Sequence, residues 1–358
     1  MSYRTRRVLF ITPFYMLFEF FLLKYIFLLF GGVEDNYILI LTVLIGLNHF
    51  MPMLFEERKS HKVTRFLSTL DSVWMWASVL FLIDILVIYL FGSFVNLSLE
   101  TNAILLAIVP VLGVYNYYKA HKLVVNEKTL IFDNLERDIN IAHMSDVHFG
   151  SFRHRQIIEQ VSDKLIELED KCDIAIISGD LADGSSVVEA DDFKAFSEVN
   201  MPIVFTPGNH DYYPGIEDVI MACKNAGVIV LDNESLEFEN LNIYGLSYRI
   251  RDSSLPEIDK SCVKEDMVNI INYHVPYYWK EFSEFGFDIQ LSGHTHGGQF
   301  RPVIWFANMM FKYNMGLFRN ESGKYIHVTT GVGSMDTPMR WGTDSEIVIL
   351  KLRKNGGD

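Results

Sequence analysis

The sequence predicts an α-helical membrane domain followed by an α/β domain. Hydrophobic residues make up 49% of the 358 residues, and they are densest in the first 120. From about Lys128 the pattern changes to short apolar runs that alternate with polar segments of helical periodicity. We therefore assign residues 1–127 to a four-helix transmembrane domain and residues 128–358 to an α/β domain.

Four segments of the first domain are apolar over about the 20 residues that a helix needs to cross a bilayer. They are 8–30, 36–55, 72–95 and 101–118. The first is not a cleaved signal peptide, because its apolar stretch is too long, it lacks a small-residue cleavage site, and further spans follow it. The sequence thus predicts a multi-pass integral membrane protein.

Basic residues predict the orientation of these spans. Lysine and arginine cluster at residues 4–7, 58–65 and 119–128, whereas the other two loops contain none. The positive-inside rule then puts both chain ends, and with them the α/β domain, on the cytoplasmic side of the cell membrane.

Glu19, Lys24 and Asp84 are ionisable groups within the spans. Such groups are costly in a membrane, so one interpretation is a path for protons or substrate. Pairing with one another inside the bundle, or contact with interfacial water, is the interpretation we favour, because a transporter usually has more spans and broken helices.

Cysteine usage and net charge limit the surroundings of the α/β domain. The three cysteines, Cys172, Cys223 and Cys262, show no CxxC spacing, which is typical of unreactive thiols in a reducing compartment. A formal charge of −14 argues against a nucleic acid as the partner.

The α/β domain contains ten predicted strands. They lie at 139–145, 173–178, 202–206, 228–231, 236–238, 241–246, 267–273, 287–292, 325–330 and 345–352. Apolar residues at helical spacing predict a helix from Ile157 to Leu168, and further helices are expected near 189–199 and 216–226. Strands that alternate with helices early and cluster later indicate layered sheets with helices outside.

Five of these strands end in polar side chains that can bind metals. The motifs are SDVH, GDLAD, PGNHD, a lone histidine and GHTHGGQ, which contribute Asp146 and His148, Asp180 and Asp183, Asn209, His210 and Asp211, His274, and His294 and His296. Open α/β sheets gather their ligands at the carboxyl ends of their strands. Carboxylate, imidazole and amide ligands suit manganese, iron or zinc, and the groups at these strand ends are too many for one ion. Two divalent ions that share a bridging carboxylate are therefore expected.

In this order the motifs resemble the calcineurin-like metallophosphoesterase superfamily, over residues 138–352. The complete GHTHGGQ motif is similar to its membrane-attached, phosphodiesterase-like branch. The resemblance implies a four-layer αββα sandwich and two metals, with manganese expected and iron or zinc as alternatives. It implies one metal held by Asp146, His148, Asp180 and His296, and another held by Asp180, Asn209, His274 and His294, with Asp180 bridging.

Two ions roughly 3.5–4 Å apart make a bridging water acidic enough to exist as hydroxide near neutral pH, and this hydroxide would attack a phosphate ester. His210 is expected to give a proton to the departing alkoxide, with Asp211 holding its ring in the useful tautomer. The alternative is that His210 only hydrogen-bonds the substrate phosphate.

Five further residues receive weaker assignments. Asp183 is expected to accept a hydrogen bond in a loop, and His143 to be a packed core histidine. Arg153, His154 and Arg340 are candidate phosphate contacts, although surface arginines are usually only solvated.

The segment 303–318 is dense in aromatic residues and methionine. It is either ordinary core or an interfacial segment that presents a lipid-like phosphodiester or pyrophosphate to the metals. The leading functional prediction is a membrane-anchored hydrolase of such a bond. The alternatives are a phosphomonoesterase, including a phosphoprotein phosphatase, and a non-catalytic membrane sensor, against which the intact Asp180, Asn209 and His210 count. The oligomeric state, the substrate and the role of the spans stay open.

Overall fold

The computed structural model describes residues 3–56, 58–250 and 254–355. The side chains of residues 3–5 and 7, which include Arg4 and Arg7 of the orientation prediction, lie outside this description. The chain forms two compact units, one built from the N-terminal helices together with residues 185–187 and 336–339, and one from the rest of the chain from Ala120 onwards. The predicted combination of apolar helices and an α/β domain is confirmed.

The first unit contains four helices, α1 Tyr3–Leu28, α2 Asp35–Glu56, α3 Lys62–Gly92 and α4 Leu99–His121. All four are long and apolar enough to cross a membrane. They extend beyond the predicted spans, most clearly at the start of α3, because hydropathy marks the apolar part of a helix and not its polar first turns.

The three ionisable groups in these helices do not pair with one another, and contact with interfacial water, the other part of the interpretation that we favoured, stays a prediction. Lys24 Nζ pairs with Asp35 Oδ2 at 2.9 Å, and Glu19 Oε2 accepts a hydrogen bond from Trp74 Nε1 at 3.0 Å. Asp84 Oδ2 has no hydrogen-bond partner among the described residues. Because Lys24 lies near the end of α1, it reaches the first turn of α2 instead of the interior of the bundle.

The second unit contains two six-stranded sheets. The first has the strand order β1 Leu123–Phe132, β12 Ser345–Lys354, β2 Ile139–Met144, β3 Ile174–Ser178, β4 Ile203–Thr206 and β5 Ile229–Val230. The second has the order β10 Gly316–Arg319, β11 Tyr325–Val328, β9 Ile289–Ser292, β8 Val268–Tyr273, β7 Leu241–Leu246 and β6 Glu234–Phe238. In the first sheet β2, β3, β4 and β5 are parallel, and in the second sheet β7, β8, β9 and β11 are parallel. The carboxyl ends of these strands therefore meet along one edge of each sheet.

Four helices accompany the sheets: α5 Arg155–Leu168, α6 Ile216–Asn225, α7 Trp279–Phe285 and α8 Val303–Met310. One core cluster joins the two sheets and includes Ile141 of β2 and Ile270 of β8. A second cluster contains the apolar faces of α5 and α6 with the first sheet, and a third contains that of α7 with the second sheet. Apolar clusters thus lie between the two sheets and between each sheet and its helices, whereas the four-layer αββα sandwich itself stays a prediction.

All ten predicted strands form, each within two residues of its predicted ends, but β1 and β10 were not predicted. Both are edge strands, each paired with one neighbour only, so their sequences lack the continuous apolar run of a buried strand. The helix expected near 189–199 is wrong, because only a 3-10 turn forms at Lys194–Glu198. Helix α7 was missed because its seven residues are too few to establish a period.

Candidate metal centre

Loops from both sheets bring the predicted ligands together. Directly after β2, β3 and β4 of the first sheet come Asp146 and His148, then Asp180, then Asn209. From the second sheet, His274 follows β8, and His294 and His296 follow β9. All seven side chains therefore lie where the carboxyl ends of the strands meet.

The acidic and imidazole groups form two clusters, each with residues from both sheets. One consists of Asp146, His148 and His296, and the other of Asp180, His274 and His294, with the candidate ligand atoms of each cluster within 4.8 Å of one another. In the first, His296 Nε2 lies 3.0 Å from His148 Nε2 and 3.3 Å from Asp146 Oδ1. In the second, His274 Nε2 lies 3.0 Å from Asp180 Oδ2.

These donor atoms fit divalent cations. Asp146 Oδ1, Asn209 Oδ1 and His274 Nε2 are buried atoms that make no hydrogen bond within the described part of the chain. Buried polar atoms are normally hydrogen-bonded, so such atoms need a partner of another kind. Oxygen and imidazole nitrogen donors that face one another at short range are the set that binds manganese, iron or zinc.

The backbone at the site is locally strained. Five of the seven residues have a left-handed conformation, with φ of 50° at Asp146, 54° at His148, 53° at Asp180, 72° at His294 and 49° at His296. This conformation costs a residue with a side chain roughly 1 kcal/mol or more, and such strain concentrates at functional sites. The strained loops turn consecutive side chains towards one place.

Two glycines allow the loops to approach closely. A Cβ at Gly179 would lie 2.6 Å from His274 Nδ1, and one at Gly208 would lie 2.3 Å from Asp180 Oδ1. The loops after β3 and β4 can therefore tolerate no side chain at these two positions. Because the contacts involve the candidate ligands themselves, the glycines keep space for the metal-binding groups.

Electrostatic interactions keep the carboxylates ionised. Burial alone would raise the pKa of Asp180, but the neighbouring His274 overcomes this effect and the pKa lies well below its usual range. Burial lowers the pKa of His274, yet the attraction of Asp180 outweighs burial and raises it to about 9. Burial, aided by repulsion from His274, lowers the pKa of His294 to about 4, so its ring is neutral and has a lone pair for a metal.

Asp211 does not orient His210, which corrects our prediction. Its carboxylate accepts hydrogen bonds at 2.8 Å from the backbone N–H groups of Asp180, Ala182 and Gly208. Burial and the nearby Asp180 raise the pKa of Asp211 to about 7. Through these hydrogen bonds Asp211 holds together the loop after β3, which carries Asp180, and the loop after β4, which carries Asn209.

The His210 ring is held by a backbone carbonyl instead. Its Nδ1 lies 3.0 Å from the carbonyl oxygen of Asp183. Asp183 is therefore a hydrogen-bond acceptor, as predicted, and the atom that accepts from His210 is its main-chain oxygen. The ring packs at 5.0 Å from His148 and is half-buried. A carbonyl can only accept, so Nδ1 carries a hydrogen and Nε2 is the other nitrogen available to a substrate.

Arg340 is not a phosphate contact, because it is completely buried and its hydrogen bonds are used inside the protein. It donates to the carbonyl oxygens of Thr330, Gly331, Gly333 and Asp344 at 2.5–3.1 Å. Burial lowers its pKa to about 10, so the guanidinium stays charged at neutral pH. It stabilises a loop whose Gly333 N–H donates to the Asp146 carbonyl.

The other candidate phosphate contacts have partners within the protein. Arg153 Nη2 donates to Gln160 Oε1, and the His154 ring lies 4.5 Å from the ring of Phe149. Their role towards a substrate stays a prediction.

A buried polar network between the sheets was largely missed. His143 is a packed core histidine, as predicted, with Nε2 2.7 Å from Ser178 Oγ and Nδ1 2.7 Å from His327 Nδ1. Ser178 Oγ donates to Asn272 Oδ1, and Asn272 Nδ2 donates to Thr206 Oγ1. The signal in the sequence was a polar side chain at alternate positions of otherwise apolar strands, which we noted only for His143.

Comparisons with known proteins agree with this geometry. Residues 139–298 match the family described as calcineurin-like phosphoesterase. An uncharacterised metallophosphoesterase of Helicobacter pylori is 28% identical over 243 residues, which are 64% of this chain and 63% of that protein. The uncharacterised protein YpbG of Bacillus subtilis is 32% identical over 216 residues, 58% of this chain and 80% of YpbG. A protein of Danio rerio named as a transmembrane protein with metallophosphoesterase domain is 26% identical over 274 residues, 70% of this chain and 62% of its own.

Fold and site together define an α/β protein with two candidate metal-binding clusters at the carboxyl ends of its strands. The chain belongs to the calcineurin-like metallophosphoesterase family. The match to the Helicobacter relative spans 63% of that relative's length.

Proposed function

We propose that this protein hydrolyses a phosphodiester or pyrophosphate bond of a lipid-like substrate at a centre of two divalent metal ions. The observation that carries the proposal is the convergence of seven metal-competent side chains from five strand ends. The helices that can cross a membrane support a substrate that is itself associated with a bilayer.

The chain's own residues would hold the two ions as follows. Asp146, His148 and His296 would hold one ion and His274 and His294 the other, with Asp180 contributing to both sites and Asn209 to the second. When bound, the two ions supply Lewis acidity to phosphoryl oxygen atoms and make a water molecule more acidic. Ionised carboxylates and neutral imidazoles are the protonation states that this binding requires.

His210 acts in this proposal as the proton donor to the leaving group. Its Nδ1–H is fixed on the Asp183 carbonyl, so its Nε2 can present a proton to a departing alkoxide. An alkoxide needs that proton because its conjugate acid is far weaker than the imidazolium.

The burial of Arg340 inside the protein favours a diester substrate over a monoester. A phosphomonoester carries up to two negative charges, which basic side chains usually neutralise. Arg340, one of the three candidate phosphate contacts, is completely buried and donates to backbone carbonyl oxygens. A diester, with one charge, makes a smaller demand on the site.

The experiment uses the full chain in lipid nanodiscs with manganese, and compares bis-p-nitrophenyl phosphate with p-nitrophenyl phosphate. We expect turnover of both and a higher kcat/KM for the diester. An Asp180→Asn protein is the control, and wild-type rates no higher than the control would contradict the proposal. A preference for the monoester would contradict its diester part.

We further propose that the α/β unit faces the cytoplasm, since basic residues flank the helices on the side of both chain ends. Trypsin added to sealed inverted vesicles should digest this unit, whereas digestion only in right-side-out vesicles would contradict the orientation.

A further inference from the structure

Helix α8 presents a large apolar surface away from the domain core. Trp305 and Phe306 are each 60% exposed, Met309 is 84% and Met310 is 74% exposed, whereas Ile304 on the opposite side is buried. Single exposed apolar residues are ordinary, but four large neighbours on one helix indicate an interaction surface. We call these four residues the α8 face.

The α8 face is structurally joined to the metal-binding loop that ends at Gln299. A Cβ at Gly298 would lie 2.6 Å from Ile304 Cα, so this loop and the helix backbone are packed against each other. At the other end of α8, the ring of Phe311 lies 6.0 Å from that of His294 and 5.9 Å from that of Tyr277. An apolar surface therefore continues from α8 to one of the candidate ligands.

The charge of the surrounding segment differs from that of the chain. Residues 300–319 contain Arg301, Lys312 and Arg319 and no acidic residue, in a protein of net charge −14. Arg301 and Lys312 are exposed just before and just after α8. Apolar side chains flanked by basic ones complement the acyl chains and anionic headgroups of a lipid surface.

We infer that the α8 face inserts into the interfacial layer of an anionic bilayer. Trp305 and Phe306 are the residue types that prefer the boundary between headgroups and acyl chains, and the two flanking cations reach the headgroups. Four helices of this chain are long and apolar enough to cross a membrane. A bilayer is thus the occupant that the composition of the surface and its local charge both select.

The inference can be tested by fluorescence on the full chain in nanodiscs that contain anionic lipid. An environment-sensitive dye is attached at Met309→Cys or, as a matched control, at Met221→Cys, which lies on α6 and is 55% exposed. Both changes are made in a Cys262→Ser background, because Cys172 and Cys223 are buried. Quenching by lipids with a nitroxide near the headgroup is compared with quenching by aqueous iodide.

We expect the dye at position 309 to be quenched several-fold more by the nitroxide lipid than the dye at 221, with the reverse order for iodide. Neutralising Arg301 and Lys312 to glutamine should reduce the lipid quenching at 309, as should replacing the anionic lipid by a zwitterionic one. Iodide quenching at 309 equal to that at 221 would overturn the inference. Protection from both quenchers would also overturn it, because a protein would then cover the surface.

This measurement requires no turnover, so it can succeed or fail independently of the proposed hydrolysis. A second variant, Trp305→Ser with Phe306→Ser, tests whether insertion of the α8 face affects hydrolysis. It should lower turnover of a phosphodiester embedded in the nanodisc and leave that of bis-p-nitrophenyl phosphate unchanged. An equal loss on both substrates would mean that α8 supports the metal loop and not the contact with lipid.

Discussion

The helical unit and the α/β unit differ in how many large apolar side chains they expose. In the helical unit, large apolar residues such as Phe10 and Val114 are more than 70% exposed, while Glu19 and Asn116 are completely buried. In the α/β unit most large apolar side chains are buried, and α8 carries four that are at least 60% exposed. The difference teaches that the two units are built for different solvents, hydrocarbon and water.

Both units also contain buried polar atoms without hydrogen-bond partners, but these atoms are distributed differently. Among the described residues of the helical unit they include Glu19 Oε1, Ser78 Oγ and the side-chain amide of Asn116, but no histidine nitrogen. In the α/β unit, Asp146 Oδ1, Asn209 Oδ1 and His274 Nε2 lie at neighbouring strand ends. Carboxylate, amide and imidazole donors at one place, more than the absence of a hydrogen-bond partner, are the sign of a metal centre.

The largest effect should come from changing a buried carboxylate to an amide in each unit. Asp180→Asn removes the charge that both proposed ions share, so we expect kcat/KM to fall by on the order of 10²–10³-fold and bound manganese to decrease. Glu19→Gln keeps the acceptor for Trp74 Nε1 and should change turnover little. Elemental analysis and diester hydrolysis measure both outcomes. A loss of activity in Glu19→Gln as large as in Asp180→Asn would assign a direct functional role to the helical unit.

A smaller and more selective effect is expected at His210. Without a proton donor, His210→Ala should hydrolyse an alkyl phosphodiester about 10²-fold more slowly, because the alkoxide leaves unprotonated. A nitrophenyl diester should be affected much less, because nitrophenolate is a stable leaving group. The measurement is the ratio of kcat values on the two substrates.

His154→Ala is the matched control for this ratio. The His154 ring contacts Phe149, so we expect its loss to leave the dependence on the leaving group unchanged. An equal loss on both substrates in His210→Ala would contradict proton donation and favour the simpler role of binding the phosphate.

Sequence patterns predicted those parts of the fold that depend on continuous apolar runs. The buried parallel strands were found because burial on both faces requires such runs. The strands β1 and β10 were not found, since only two residues of β1 and none of β10 are buried, so neither shows a continuous buried apolar run. The candidate ligands could be predicted because their motifs follow strands that end at one edge.

The roles of Asp211 and Arg340 could not be predicted, because they depend on where backbone groups point after folding. Three N–H groups converge on the Asp211 carboxylate, and several carbonyl oxygens converge on the Arg340 guanidinium. A sequence does not reveal these directions. Hydrophobicity likewise identified the segment around α8 but not which of its side chains are exposed.

The smallest effect that we predict is a difference in the free energy of unfolding between replacing a buried and an exposed arginine of the α/β unit. Arg340→Lys keeps a positive charge but loses the planar fork that reaches several carbonyl oxygens at once. Carbonyl groups left unsatisfied in the interior should lower the free energy of unfolding by about 2 kcal/mol. Urea unfolding, followed by near-ultraviolet circular dichroism of the detergent-solubilised chain, measures this change.

Arg319→Lys is the matched substitution on the surface. Arg319 is exposed and lies over the ring of Tyr325 at 5.5 Å, so its replacement should cost less than about 0.5 kcal/mol. If Arg340→Lys were equally mild but raised KM for the diester, Arg340 would be a substrate contact after all. The original prediction from the sequence would then stand, and the argument for a diester from the fate of Arg340 would be lost.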